Sequence, residues 1–207
     1  MERVTVLDHP LVRVWVTELR SAETPNARVR DLLRNLSVAL FLEASRELET
    51  VGVRVRTPLT ETGGARLERA PLLVPILRAG LGMVDGILEL VPEADVAHLG
   101  LYRDHDTLEP VTYYTPSHRS TPGRELYVLD PMLATGGSVC AALDVVKTWA
   151  PGRVHLLSVI GAPPGVERVR SRHPDVSITL AALDERLNEI GYIVPGLGDA
   201  GDRQFGG

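Results

Sequence analysis

Cysteine is almost missing from this 207-residue chain. Cys140 stands alone, so an internal disulfide framework is excluded and a reducing, cytoplasmic setting is expected. No apolar run approaches membrane-spanning length, and Met1-Glu2-Arg3-Val4 lacks the pattern of a signal peptide, so no membrane partner is expected. Positive charge is not in excess. The formal net charge of -5 argues against generic nucleic-acid binding, which normally shows a basic face. Aromatic residues make up only 4%, and Trp15 and Trp149 read as packing residues rather than stacking platforms. Lysine occurs once, at Lys147, among 22 basic residues, a bias that reflects either genome composition or growth temperature. The six histidines (9, 98, 105, 118, 155 and 173) show no metal-ligand spacing, so no protein metal site is assigned.

Familiar motifs are absent too. There is no Gly-Lys-Ser/Thr of a P-loop, no Gly-x-Gly-x-x-Gly dinucleotide fingerprint, and no Gly-x-Ser-x-Gly elbow around Ser138. Cys140 lies near a helix start, where a reactive thiolate is conceivable, but a buried structural cysteine is the simpler reading.

What is present is an ordinary soluble composition, 44% hydrophobic and 24% charged, in a length that suits one large domain. Residues 1–24 read as an arm, with a Val4-Thr5-Val6 piece, a turn at His9-Pro10 and a helix through Leu19. Thr24-Pro25 starts a long helix, with Pro allowed at the first helical position and Val29, Leu32, Leu33, Leu36 and Leu40 on one face. Thr57 to Ala70 reads as a strand end plus loop. From Leu72 onward, apolar strand-like runs alternate with helices, with strands at Leu72–Ile76, Val96–Tyr102, Leu126–Leu129, Val154–Ile160 and Ser177–Leu183. Continuous apolar strands separated by helices predict an α/β fold with a Rossmann-like parallel sheet covered on both faces. Ligands in such sheets sit beyond the strand C-terminal ends, which puts Arg78, Arg103, Asp130 and Ala162 at one edge.

The most informative stretch is Asp130-Pro131-Met132-Leu133-Ala134-Thr135-Gly136-Gly137-Ser138. A strand delivers a carboxylate to its end, and small residues then lead into a helix N-terminus. Unpaired N–H groups and the positive helix end there suit a phosphate. Thr135 and Ser138 add hydroxyl donors. The carboxylate would repel that phosphate, so it must serve a hydroxyl, cation or metal beside it. A ribose phosphate offers such neighbours, although a Gly-rich turn without ligand is the plain alternative.

Three further segments bear on this. Pro75 to Met83 ends a strand in Arg78 before a small-residue turn, read either as a surface arginine or as a grip on a second anion. Tyr102-Arg103-Asp104 roots a polar segment, 103–123, read either as a solvated loop or as a lid carrying Arg103 to a pyrophosphate, with strand at Val111 to Tyr114. Gly191 to Asp202 interleaves glycine with aliphatic residues. This suggests backbone packed against something flat, such as the amide edge of a base, with Asp199 the nearest ionisable group.

At these segments the chain resembles the uracil phosphoribosyltransferase family. The likeness runs nearly the full length, through His9 to Val12, Pro75 to Met83, Leu108 to Val111, Asp130 to Ser138 and Asn188 to Asp202. It implies the type I phosphoribosyltransferase fold as one domain over 1–207, with an N-terminal helical arm at 1–24, a flexible loop hairpin at 103–123 and a C-terminal base-binding hood at 184–207. The implied reaction converts uracil and 5-phospho-α-D-ribosyl 1-diphosphate (PRPP) into UMP and diphosphate, with Mg²⁺ accompanying PRPP.

Carried over by residue, PRPP contacts fall on Arg78, Arg103, Asp130, Pro131, Met132, Leu133, Ala134, Thr135, Gly136, Gly137, Ser138 and Asp199. Uracil contacts fall on Ile193, Gly198, Asp199 and Ala200, and the catalytic set is Arg103, Asp130 and Asp199. The resemblance also implies a homodimer or higher homo-oligomer, and some relatives take GTP as an allosteric activator. Many phosphoribosyltransferases place two adjacent acids at the start of the phosphate loop. Here Pro131 follows Asp130, as in the uracil-specific family, so one carboxylate meets the ribose diol.

Two other readings stay open at this stage. One is a regulatory protein that binds uridine nucleotides and RNA on the same fold. The other is a phosphoribosyltransferase for a purine or orotate. Gly191 to Asp202 contains no Lys or Arg to meet an orotate carboxylate, but Arg186 and Arg203 flank it.

Overall fold

The short apolar runs become strands, and the order in which they pair decides where the ligand edge lies. The computed structural model describes residues 4–103, 110–115 and 121–206, excluding the side chains of 102, 103 and 110–112. Strand β1 (Val4–Val6) leads into helix α1 (Pro10–Arg20), whose first turn is capped by the His9 ring accepting from the Leu11 amide at 3.2 Å. Helix α2 (Asn26–Ala44) begins just after Pro25, so the proline caps the helix from outside rather than taking its first position. Its stripe of Val29, Leu32, Leu33, Leu36 and Leu40 is buried, as its spacing requires.

The segment 57–70, expected as a strand end plus loop, instead holds the turn and the second strand of an antiparallel hairpin whose first strand precedes it. Strands β2 (Thr50–Arg56) and β3 (Glu61–Leu67) pair with Val53 opposite Gly64. Most of their residues are exposed, and Gly63-Gly64-Ala65 shows no apolar alternation, because backbone pairing rather than burial shapes β3.

Strand β4 (Leu72–Leu77) runs into a 3-10 turn, Ala79–Met83, and helix α3 (Val84–Leu90). The single strand expected over Val96–Tyr102 divides into β5 (Asp95–Val96) and β6 (Leu99–Arg103), both parallel to β4. The expected strand near Val111 is β7 (Pro110–Tyr114), antiparallel to β6. The rest of the 103–123 lid expectation, 104–109 and 116–120, lies outside the described residues.

The remaining elements are β8 (Leu126–Leu129), β9 (Met132–Leu133), α4 (Gly137–Lys147), β10 (Val154–Gly161), α5 (Pro163–Arg172) and β11 (Ser177–Leu183). The chain then closes with β12 (Arg186–Leu187), β13 (Ile193–Val194) and α6 (Ala200–Phe205).

The main sheet has the order β1-β11-β10-β8-β4-β6-β7, and every pairing along it except β6 with β7 is parallel. Alternate residues feed two cores. Leu73, Tyr127, Leu129, Leu157 and Val159 face α1, α2 and α3, while Leu72, Val74, Val128 and Leu156 face α4 and α5. Each such aliphatic side chain gains roughly 1.5–3 kcal/mol from burial. This is the expected α/β class, and β1 and α1 are part of its packing. Because β4, β6, β8 and β10 run parallel, Arg78, Asp130 and Ala162 emerge at one edge together with Arg103 at the end of β6.

Candidate active site

The loop after β8 is fixed from both sides. Asp130 donates its amide to Leu157 O at 3.2 Å, and Pro131 O accepts from Val159 and Ile160 at 3.2 and 3.0 Å. Strand β9 pairs with the end of β10, and Ala162 donates to Leu133 O at 3.0 Å. The loop then turns at Gly136, whose φ of 75° belongs to the left-handed region. A Cβ on Gly165, in the first turn of α5, would stand 2.4 Å from Ala134 O, so α5 packs directly onto the loop backbone. No side chain caps α4. Half-buried Thr135 and Ser138 stand beside its first amides, the arrangement in which a helix start can take an anion.

Asp130 uses one carboxylate oxygen to accept from the Met132 amide at 3.2 Å. Burial pushes its pKa up to about 7, against the stabilising Met132 hydrogen bond, and the nearby charge of Asp199 adds to the rise. Two carboxylates expected from sequence to serve one ligand thus feel each other. Pro131 and Leu133 are buried, which leaves them main-chain groups to offer, while Met132 and Ala134 are half-buried.

Arg78 ends β4 after a cis Leu77–Arg78 peptide and is exposed at the same edge. Its Nη2 lies 3.3 Å from Asp202 Oδ1, joining the strand end to α6. Gly80 follows in a tight approach: a Cβ there would meet Leu129 O at 2.4 Å, which only glycine avoids. Arg103 ends β6 in backbone at this edge, and its side chain is not among those described.

The glycine-rich tail is ordered rather than loose, as its interleaved aliphatics suggested. β12 and β13 pair, and the chain reaches α6 through Gly196 and Gly198, both at positive φ. Asp199 caps α6, its Oδ1 accepting from Gly201 and Asp202 amides at 2.7 and 2.9 Å. Ile193, Leu197 and Ala200 side chains are buried in the core, while Gly198 and Asp199 are exposed. A Cβ on Gly191 would stand 3.7 Å from Thr135 Cγ2, so the tail reaches the phosphate loop. Asp130, Asp199, Arg78, the loop and the tail are therefore one site.

Sequence reasoning set Arg203 beside this tail but missed Arg20 and Asp184 behind it. Arg20, Asp184 and Arg203 bind its backbone from α1, from the end of β11 and from α6. Asp184 follows β11 as Asp130 follows β8, and that parallel was a usable signal. Among the described residues no group of three or more His, Cys, Asp or Glu could hold a metal, and no helix is long and apolar enough to cross a membrane. Cys140 is buried, and burial pushes its thiol pKa up, which fits the structural reading.

Residues 6–207 match the uracil phosphoribosyltransferase family. A uracil phosphoribosyltransferase of Symbiobacterium thermophilum is 53% identical over 207 residues, covering 100% of this chain and 99% of that one. One from Paracoccus denitrificans is 52% identical over 204 residues, with coverage of 98% and 97%. Among solved structures, the AQ2163 protein of Aquifex aeolicus superposes with a TM-score of 0.93 at 37% identity over 98% of each chain. A Trypanosoma brucei adenine phosphoribosyltransferase in complex with AMP, pyrophosphate and ribose-5-phosphate gives 0.62 at 12% identity, over 96% of this chain and 89% of that one, a likeness of fold alone. The strand-end carboxylate, the uncapped helix and the backbone-built tail thus occur in a chain that belongs to the uracil phosphoribosyltransferase family.

Proposed function

We propose that this chain transfers the phosphoribosyl group of PRPP to uracil, forming UMP and releasing diphosphate. The observation that carries the reading is the shared edge where Asp130, the uncapped α4 N-terminus, Arg78 and the tail from Ile193 to Asp202 converge. In the reaction the ribose C1–N1 bond forms as the C1–O bond to diphosphate breaks, and the N1 proton of uracil passes to solvent or to the departing diphosphate. The transition state is oxocarbenium-like, so the protein contributes positioning and charge stabilisation. The amides of Gly136, Gly137 and Ser138, with the Thr135 and Ser138 hydroxyls, hold the 5-phosphate. The free oxygen of Asp130 accepts from the ribose diol and offsets positive charge growing on the ring. Arg78 and Arg103 meet the diphosphate.

Mg²⁺ fits this site as an ion carried by its substrate. One oxygen each of Asp130 and Asp199 is taken by backbone amides, which leaves the other for the ion or its waters. When bound, Mg²⁺ neutralises the diphosphate.

The base is read by main chain. Ile193 and Ala200 bury their side chains, so they and Gly198 present N–H and C=O groups, with Asp199 the adjacent ionisable side chain. The Arg203 guanidinium is occupied by the carbonyls of Leu19, Ser21 and Leu197 and so is not free for an orotate carboxylate. This favours a neutral pyrimidine on the Arg203 side, and the exposed Arg186 makes orotate the base to test against it. The test is turnover of uracil, cytosine, orotate and hypoxanthine with PRPP and Mg²⁺, with and without GTP. UMP formation from uracil should dominate, and preference for any other base overturns the assignment.

A further inference from the structure

Ile193 and Leu197 seat the tail in the core by their side chains, but the peptide groups between them must also be held in place if they are to recognise a base. Gly196 sits at the centre of that turn with φ 64°, and a Cβ there would come within 2.1 Å of Ile193 O. Both polar groups of Gly196 are gripped from behind. Its amide donates to Asp184 Oδ2 at 2.8 Å, and its carbonyl accepts from Arg20 Nη1 at 2.9 Å. Arg20 Nη1 also donates to Asp184 Oδ2 at 2.7 Å, while Nη2 donates to Oδ1. The Asp184 side chain is 4% exposed and that of Arg20 24%, so this fork-on-fork pair works in a dry setting. Asp184 is itself anchored, its amide donating to Gly161 O at 2.8 Å at the end of β10.

We propose that the Arg20–Asp184 pair is the positioning device of the base-reading turn, clamping the Gly196 peptide so that uracil affinity depends on two residues that do not touch uracil. The inference rests on the activity proposed above. The Asp184 backbone and the Asp130–Ser138 loop share Gly161 of β10, but the loop's ties run through β10 and α5 backbone and not through the Arg20 and Asp184 side chains, so removing those side chains acts on the base side of the site. Arginine is required because one planar fork must serve a carboxylate and a carbonyl together, which a lysine ammonium does less well.

The experiment measures UMP formation with uracil and PRPP varied in turn for the full-length chain and for Arg20→Met, Arg20→Lys and Asp184→Asn, each checked for folding by circular dichroism. Arg20→Met should raise KM for uracil about ten- to a hundredfold, the span of one lost charge-assisted hydrogen bond. KM for PRPP should stay within about threefold, a split that a general loss of folded protein does not produce. Arg20→Lys should fall between wild type and Arg20→Met, and Asp184→Asn should share the uracil-side defect. Variants that keep the wild-type uracil KM, that shift both KM values alike, or that are all unfolded overturn the clamp. A wild-type chain that makes no UMP overturns the activity instead.

Discussion

At the scale of the residue, Asp130 shows how a side chain proposed to serve the site can be costly to the fold. Burial holds its pKa near 7, with the Asp199 charge adding to the rise. The native protein therefore keeps a proton that the unfolded chain has already lost between roughly pH 4 and pH 7. The native state binds more protons in that window, so stability falls as pH rises through it. Asp130→Asn removes the ionisation. It should match wild type in urea unfolding near pH 4 and exceed it by roughly 1–3 kcal/mol at pH 8. A variant equally stable relative to wild type at both pH values contradicts this. Asp130 itself was legible in the sequence, because a strand-end acid before small residues is a local pattern. Asp199 was assigned to the same ligand through the family resemblance, but the effect of its charge on Asp130 exists only once folding brings the two close.

At the scale of the element, the phosphate loop depends on its neighbours as much as on its own residues. The sequence shows strand, loop and helix start, but not that Met132–Leu133 is a strand on β10 or that α5 lies on the loop backbone. Gly165→Ala puts a methyl 2.4 Å from Ala134 O and 2.8 Å from Leu133 O, so the loop must move. A displacement of that kind should raise KM for PRPP about tenfold or more while the uracil KM changes less. Steady-state kinetics with each substrate varied will show it, and an unchanged PRPP KM would remove α5 from the account. The β2–β3 hairpin escaped the sequence reading for a related reason. Val51, Val53 and Val55 alternate in β2, but β3 carries no matching apolar pattern, so its pairing through backbone was not signalled.

At the scale of the whole molecule, one sheet separates two cores. Trp15 packs against the α1–α2 side, and Trp149 is buried on the α4–α5 side. Because the same strands contribute alternate residues to both, the layers should unfold together. Trp15→Phe and Trp149→Phe leave one fluorescent reporter per layer, and their urea midpoints should agree within about 0.3 M, as one cooperative unit requires. Well-separated midpoints would show the two faces to be independent.

The sequence by itself determined the α/β class, the strand ends that meet at one edge and the pattern from which a ribose phosphate site is proposed. These follow from short-range patterns: apolar runs of strand length, an acid at a strand end, and a glycine turn before a helix. Tertiary structure alone decided what stands behind the base-reading turn and whether Arg203 is free. Arg20 and Asp184 are 164 positions apart, and Arg203 reaches Leu19 across 184. No local periodicity encodes such pairs, because their geometry exists only once β11, α1 and the tail have packed against one another.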